Sequence, residues 1–298
     1  MGRAVSRAAV AARVATAVAG VLAVMLAAAV GCQRQSGHTA PTSQQPEWRQ
    51  STLPFKGLKY PNSLAVDNSG AVYVSDEDNN RVLKLPAGSS SPTALPFVGL
   101  NSPTAVAVDG KGTVYVTDWG NNRVVTLPPG GPAQVQLPFE GINSPVGIAV
   151  DGRGTVYVTE PDKKQVVAFG AGSTAPTVLP FTGLVYPSNV AVDGKGTVYI
   201  TEPQGNRVLA LPAGSTNQSE LPLRGLKSPV DVAVDGKGTV YVTDGDNKRV
   251  VTLLAGATTQ VELPFTDLKY PHGVAVDGEG AVYVTDYDTN RVVKLAPG

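Results

Sequence analysis

Cysteine is nearly absent from this 298-residue chain: Cys32 stands alone, so no intramolecular disulfide can form and the fold must rest on packing. Histidine is almost as scarce, with only His38 and His272, too few for the clustered ligands of a metal centre. Aromatic residues make up 6% and charged residues 16%, against 33 glycines and 24 prolines, which describes many short strands joined by tight turns and excludes long helices. An excess of positive charge is missing too. Arg3, Arg7 and Arg13 precede residue 33, leaving 21 of the 24 bases against 24 acids in residues 33–298. Nucleic-acid binding needs a basic face that displaces counterions, and none is expected here.

What is there begins with an address. Arg3, Arg7 and Arg13 form a basic leader, and Val14 to Val30 is apolar apart from Thr16 and Gly20. Residues 1–32 therefore read as an export signal. The run is also close to the lower limit for an uncleaved membrane anchor. Ala29-Val30-Gly31-Cys32 resembles a bacterial lipobox, which implies lipid attachment at Cys32 and a place on the outer face of the cell membrane. Residues 33–50 are rich in Gln, Ser and Pro and poor in aliphatic side chains, the composition of a flexible tether.

From Leu53 onward one unit of 42 residues recurs six times without insertion or deletion, carrying Asp at Asp67, Asp109, Asp151, Asp193, Asp235 and Asp277. Tyr73, Tyr115, Tyr157, Tyr199, Tyr241 and Tyr283 keep the same register. In the second copy Ala105 to Asp109 is a short apolar strand, Gly110-Lys111-Gly112 a tight turn, and Thr113 to Thr117 its hairpin partner. A third strand at Arg123 to Leu127 and a fourth at Gln134 to Phe139 complete the unit. Four strands per repeat, apolar on both faces, predict an all-β, six-bladed propeller over residues 51–298. The last copy ends after its third strand, while Gln50 to Phe55 supplies a fourth ahead of the first copy, so the two fragments are expected to share one blade and close the ring.

The pattern Pro-x-x-Val-Ala-Val-Asp-x-x-Gly-x-Val-Tyr-Val-Thr-Asp-x-x-Asn-x-Arg-Val resembles the NHL repeat, and the LPFxGL and LPAGS elements are similar to the PknD-type extracellular sensor domain of mycobacterial serine/threonine kinases. The resemblance implies a sensor-like propeller. No Gly-rich phosphate loop, His-Arg-Asp loop or Asp-Phe-Gly accompanies it, so no kinase is expected.

Residues repeated in every copy serve the blade. The acids Asp76, Asp118, Glu160, Glu202, Asp244 and Asp286 lie five residues before Arg81, Arg123, Gln165, Arg207, Arg249 and Arg291, which predicts charge-assisted bonds across each loop. Gln165 leaves Glu160 without a charge, marking the third blade as the weak one.

Function is sought where copies diverge. Tyr60, Tyr186 and Tyr270 share a position held elsewhere by serine, Trp119 and Tyr287 share a variable loop position, and closure makes the sixth blade neighbour the first. Exposed Tyr and Trp anchor recognition. His272 and Asp231 are unique in their columns and fall on adjacent blades, so they can be read as a general base and its orienter. The main expectation is a monomeric, non-enzymatic binding or sensing module without cofactor or metal. Its contact residues are Tyr60, Trp119, Tyr186, Asp231, Tyr270, His272 and Tyr287, and its partner is an envelope protein, a peptide or a cell-wall glycan. The alternatives are a lyase- or lactonase-type propeller enzyme using His272 and Asp231, and a passive envelope scaffold.

Overall fold

The computed structural model describes residues 47–131, 133–173 and 175–298; the export segment with Cys32 and most of the tether lie outside them. Each repeat forms one four-stranded antiparallel sheet, and there are six. Blade 1 runs outward through Pro61–Val66, Val72–Asp76, Arg81–Leu85 and the short outer strand Thr93–Ala94. The innermost strands of successive blades touch in cyclic order, the sixth against the first. Around the axis they border an open channel of about 200 Å³, to which all six contribute Ala and Val residues.

Strand composition follows from this sandwiching. Val72, Val74, Val82 and Leu83 are buried, as are Val114, Val116, Val124 and Val125 in the next blade, because each sheet packs against a neighbour on both faces. The hairpin joining the first two strands of blade 1 is shaped by Asp67. Its Oδ1 accepts the backbone N–H of Ser69 and Ala71 at 2.9 and 3.0 Å, and its Oδ2 accepts the Tyr73 hydroxyl at 2.9 Å. A short side chain that bonds its own turn fixes that turn.

Ring closure is direct. Trp48–Thr52 pairs with Arg291–Pro297, Trp48 opposite Pro297 and Thr52 opposite Val293, giving the sixth blade its outer strand. That strand reaches three residues into the stretch whose composition reads as tether. Gln50 ties this strand to the connection between blades 5 and 6: Oε1 accepts Thr266 N at 2.7 Å while Nε2 donates to Thr266 O at 3.1 Å.

The buried acids behave as expected. Asp118, with no exposed surface, accepts Asn101 N at 2.7 Å, Arg123 Nε at 2.6 Å and Asn121 Nδ2 at 2.8 Å. The third blade is a correction. Gln165 Nε2 donates to Glu160 Oε2 at 2.7 Å, and Lys163 Nζ pairs with Oε1 at 2.7 Å, also donating to the Gly141 carbonyl. Lys163 stands where blades 1, 2 and 5 have Asn79, Asn121 and Asn247, so the charge missing at Gln165 arrives from two residues away. Lys163→Ala should therefore cost about 1–3 kcal/mol by leaving a buried carboxylate short of donors, read as a lower urea midpoint than in the wild type.

Neighbouring blades are clasped at the loop end of the ring by asparagines in left-handed backbone: Asn80, Asn122, Asn206 and Asn290 accept the N–H of Ser102, Ser144, Ser228 and Tyr60 at 2.7–2.9 Å. Lysines, Lys164 and Lys248, replace the asparagine at the remaining two seams, between blades 3 and 4 and between blades 5 and 6. There Tyr186 N and Tyr270 N turn to the acids of their own blades, Glu202 and Asp286.

Candidate functional site

The loop end of the seam between blades 6 and 1 gathers the groups that differ most among the repeats. Tyr60, Asn62 and Glu77 come from blade 1; Tyr270, His272 and Tyr287 come from blade 6. The Tyr60 and Tyr287 rings stack with centroids 4.8 Å apart, His272 lies over the Tyr287 ring at 5.0 Å, and Tyr270 meets Tyr287 edge-on at 6.4 Å. Tyr60 is held at φ +55°, where a bulky side chain is disfavoured, and its N–H is fixed by Asn290. Tyr270 leans over Gly245 of blade 5. A Cβ at Gly245 would lie 3.0 Å from two Tyr270 ring carbons and 3.1 Å from the Ser228 carbonyl, so glycine makes room for this ring.

His272 is the chemical centre of the group. Its Nδ1 lies 2.8 Å from the backbone carbonyl of Asn62. A carbonyl oxygen only accepts, so Nδ1 carries the proton and Nε2 keeps its lone pair. His272 is half-buried as a residue, yet enough protein surrounds its ring that burial pushes the imidazole down to about 4, against the opposing hydrogen bond to Asn62. The ring is neutral at pH 7. Asn62 also donates from Nδ2 to Glu77 Oε2 at 2.8 Å. Burial raises the Glu77 carboxyl above its ordinary range, with Asp78 adding to the shift and the Asn62 bond opposing it. Tyr287 is pushed up to about 12, first by burial and then by Glu77 and Asp78.

Of the contact residues expected from sequence, Tyr60, Tyr270, His272 and Tyr287 are brought together. Trp119 projects from blade 2, 44% exposed, and Tyr186 sits on blade 4, half-buried near Asp162 of blade 3; neither joins the cluster. Asp231 is a correction. It makes no side-chain bond to His272: Oδ1 accepts Val232 N at 2.7 Å and Oδ2 accepts Val274 N at 2.9 Å. The innermost strands of blades 5 and 6 are bulged between Pro229 and Val232 and between Pro271 and Val274. A bulge re-aims the residues within it, so neighbouring columns of the repeat do not converge as simple strand geometry implies. Burial lifts Asp231 to about 7, opposed by its two backbone donors. Asn62 and Glu77 were not singled out from sequence, although Glu77 is the one acid in a column of Trp, Pro, Pro, Gly and Tyr.

Among the described residues no three His, Cys, Asp or Glu side chains converge as a metal-binding group.

Residues 48–298 match the model of the virginiamycin B lyase family. The chain belongs to that family. For this virginiamycin B lyase family member the expectation of a non-enzymatic module is corrected, because the family is that of an enzyme. Two histidines are too few for a cluster of metal ligands, but general-base catalysis needs only one imidazole in one tautomer.

Solved structures share the architecture. A streptogramin B lyase is 14% identical, with 84% of this chain and 98% of that one covered and a TM-score of 0.65. A catalytically inactive histidine-to-alanine variant of virginiamycin B lyase from Staphylococcus aureus, with quinupristin, is 16% identical over 84% and 89%, TM-score 0.63. A gluconolactonase from Xanthomonas campestris is 15% identical over 89% and 99%, TM-score 0.71. At such identities the likeness shows the fold alone. No curated protein matches the chain.

Proposed function

We propose that this virginiamycin B lyase family member is a lyase that opens a cyclic ester by elimination, with His272 as general base. The observation that carries the reading is the hydrogen bond from His272 Nδ1 to Asn62 O, which leaves Nε2 unprotonated at an aromatic face. Nε2 takes a proton from the carbon beside a carbonyl, the freed electron pair forms a carbon–carbon double bond, and the adjacent carbon–oxygen bond breaks. The departing oxygen leaves as a carboxylate. Glu77, whose carboxyl burial raises above its ordinary range, accepts a hydrogen bond from the same Asn62 and so borders this site. Tyr60 and Tyr287 supply apolar surface for the substrate. The family relative with quinupristin and the inactive histidine variant support this reading by analogy.

The test is turnover of quinupristin and of an aldonolactone by the wild type and by His272→Ala, with product mass as readout. Elimination leaves the mass of the opened ring unchanged, whereas lactone hydrolysis adds one water. Wild-type activity that survives in His272→Ala would overturn the reading.

The same proposal extends to setting. Export with lipid on Cys32, which lies outside the described residues, would put a monomeric enzyme on the outer face of the membrane, as the NHL-like sensor resemblance also suggests for its repeats. Intact mass of the mature protein should then correspond to a chain beginning at an acylated Cys32. A chain retaining residues 1–31 would refute it.

A further inference from the structure

We propose that Asp231 is a positioning residue for His272, acting through the backbone of blade 6 and not through the imidazole. The proposal rests on the reading of His272 as base and deepens it. The stretch His272–Gly273–Val274 is tied at each residue. The His272 carbonyl accepts the Thr243 hydroxyl of blade 5 at 2.6 Å, Gly273 N donates to Thr285 Oγ1 at 2.6 Å, and Val274 N donates to Asp231 Oδ2 at 2.9 Å. Asp231 N in turn donates to Thr243 Oγ1 at 2.9 Å, so both ties from blade 5 belong to one network. On the far side, the Asn62 carbonyl accepts both His272 Nδ1 and the Thr285 hydroxyl, at 2.8 and 3.1 Å.

Between these anchors there is no slack. A Cβ at Gly273 would lie 2.8 Å from Ser63 Cα and 2.9 Å from Thr285 Oγ1, so the strand is pressed against blade 1. Movement of Val274 must pass along it to His272, two residues away.

Comparison of the repeats shows that the carboxylate belongs to this seam alone. The other blades carry Ser63, Ala105, Gly147, Asn189 and Gly273 at the same position. Asn189 is nearest in chemistry, and its Oδ1 accepts Val190 N of its own strand. Asp231 spans instead to the next blade, across a seam where Lys248 replaces the clasping asparagine. It is 4% exposed and has two backbone donors but no cation, an arrangement that destabilises a fold. Its presence in one blade fits a requirement local to His272.

The experiment is nitrogen-15 NMR of histidine-labelled full-length protein, comparing the wild type with Asp231→Asn, with Thr243→Val as a second cut in the same network and Asn189→Ala as the control in the same column. Asp231→Asn keeps the side-chain volume but can accept from only one of the two N–H groups. The wild type should show His272 as a single neutral tautomer protonated on Nδ1. In Asp231→Asn and Thr243→Val the signal should become a tautomer mixture and its titration should move up towards the ordinary histidine value; Asn189→Ala should leave both unchanged. Asp231, lifted to about 7, is already uncharged where His272 titrates near 4, so loss of its charge cannot account for a rise, which reports displacement of the ring. Where turnover is measurable, Asp231→Asn should lower kcat about tenfold or more with KM within about twofold, because ring placement matters in the transition state. A folded Asp231→Asn with tautomer and titration unmoved overturns the proposal; if that variant does not fold, an unmoved Thr243→Val does. Failure of the base reading is a different result, namely turnover surviving in His272→Ala, and leaves the NMR outcome to stand by itself.

Discussion

His272→Ala should lower kcat/KM for ring opening by about 10²–10⁴-fold, the range that a positioned general base contributes. On the barrier this is about 3–5 kcal/mol. The fold should survive the change, since the ring stacks on Tyr287 at the loop end of the propeller. The pH profile adds a sign. With the imidazole held down at about 4, Nε2 is free over the whole neutral range, and protonation removes the base only as pH falls through about 4. The acid limb of kcat/KM should therefore appear near pH 4, well below the limb near 6.5 expected of an ordinary histidine. Opening the site to water should move that limb upward, whereas loss of the Asn62 carbonyl bond by itself should lower it further. A limb near 6.5 in the wild type would mean that the imidazole is solvated in the working enzyme.

Deleting residues 1–52 should abolish cooperative folding. The deletion removes five paired positions from the sixth blade, together with Trp48, which packs against the core between blades 5 and 6, and the Gln50 bracket to Thr266. At about 1 kcal/mol net for each hydrogen bond, before any apolar area is counted, the loss reaches about 5 kcal/mol. That equals the whole stability of a marginal domain. It also bares the edge of Arg291–Pro297, an open strand able to pair with another chain. Far-UV circular dichroism on heating should lose its sharp transition, and sedimentation should show aggregates, whereas a chain starting at Glu47 should melt as the intact protein does. A sharp transition in the shorter chain would show that ring closure contributes little.

The ring was legible because each of its causes repeats. Six copies of one pattern, apolar on both faces, leave no other way to cover the sheets, and the incomplete copies at the two ends match. Tyr60, Tyr270, His272 and Tyr287 were legible for the opposite reason: they break the repeat on blades that closure makes neighbours. What the linear pattern concealed was aim. The bulges at Pro229 and Pro271 turn Asp231 towards backbone N–H groups and His272 towards Asn62, and column position carries no trace of that. Lys163 was hidden similarly, since it brings a charge from a column where related blades use asparagine. Catalysis with His272 stood in the sequence only as an alternative, because one neutral imidazole leaves no motif, unlike a cluster of ligands.

The juxtaposition of Trp48 with Pro297 has a practical consequence for topology. The first and last strands of the propeller lie side by side in a single sheet, so a short peptide could join them, and the polypeptide could be reopened at an exposed turn of a distant blade, for instance near Gly214 of the fourth. Such a circular permutant would move the non-covalent latch out of the sixth blade and leave Tyr60, His272 and Tyr287 on continuous backbone. The wheel would then be fastened at a point remote from its chemistry.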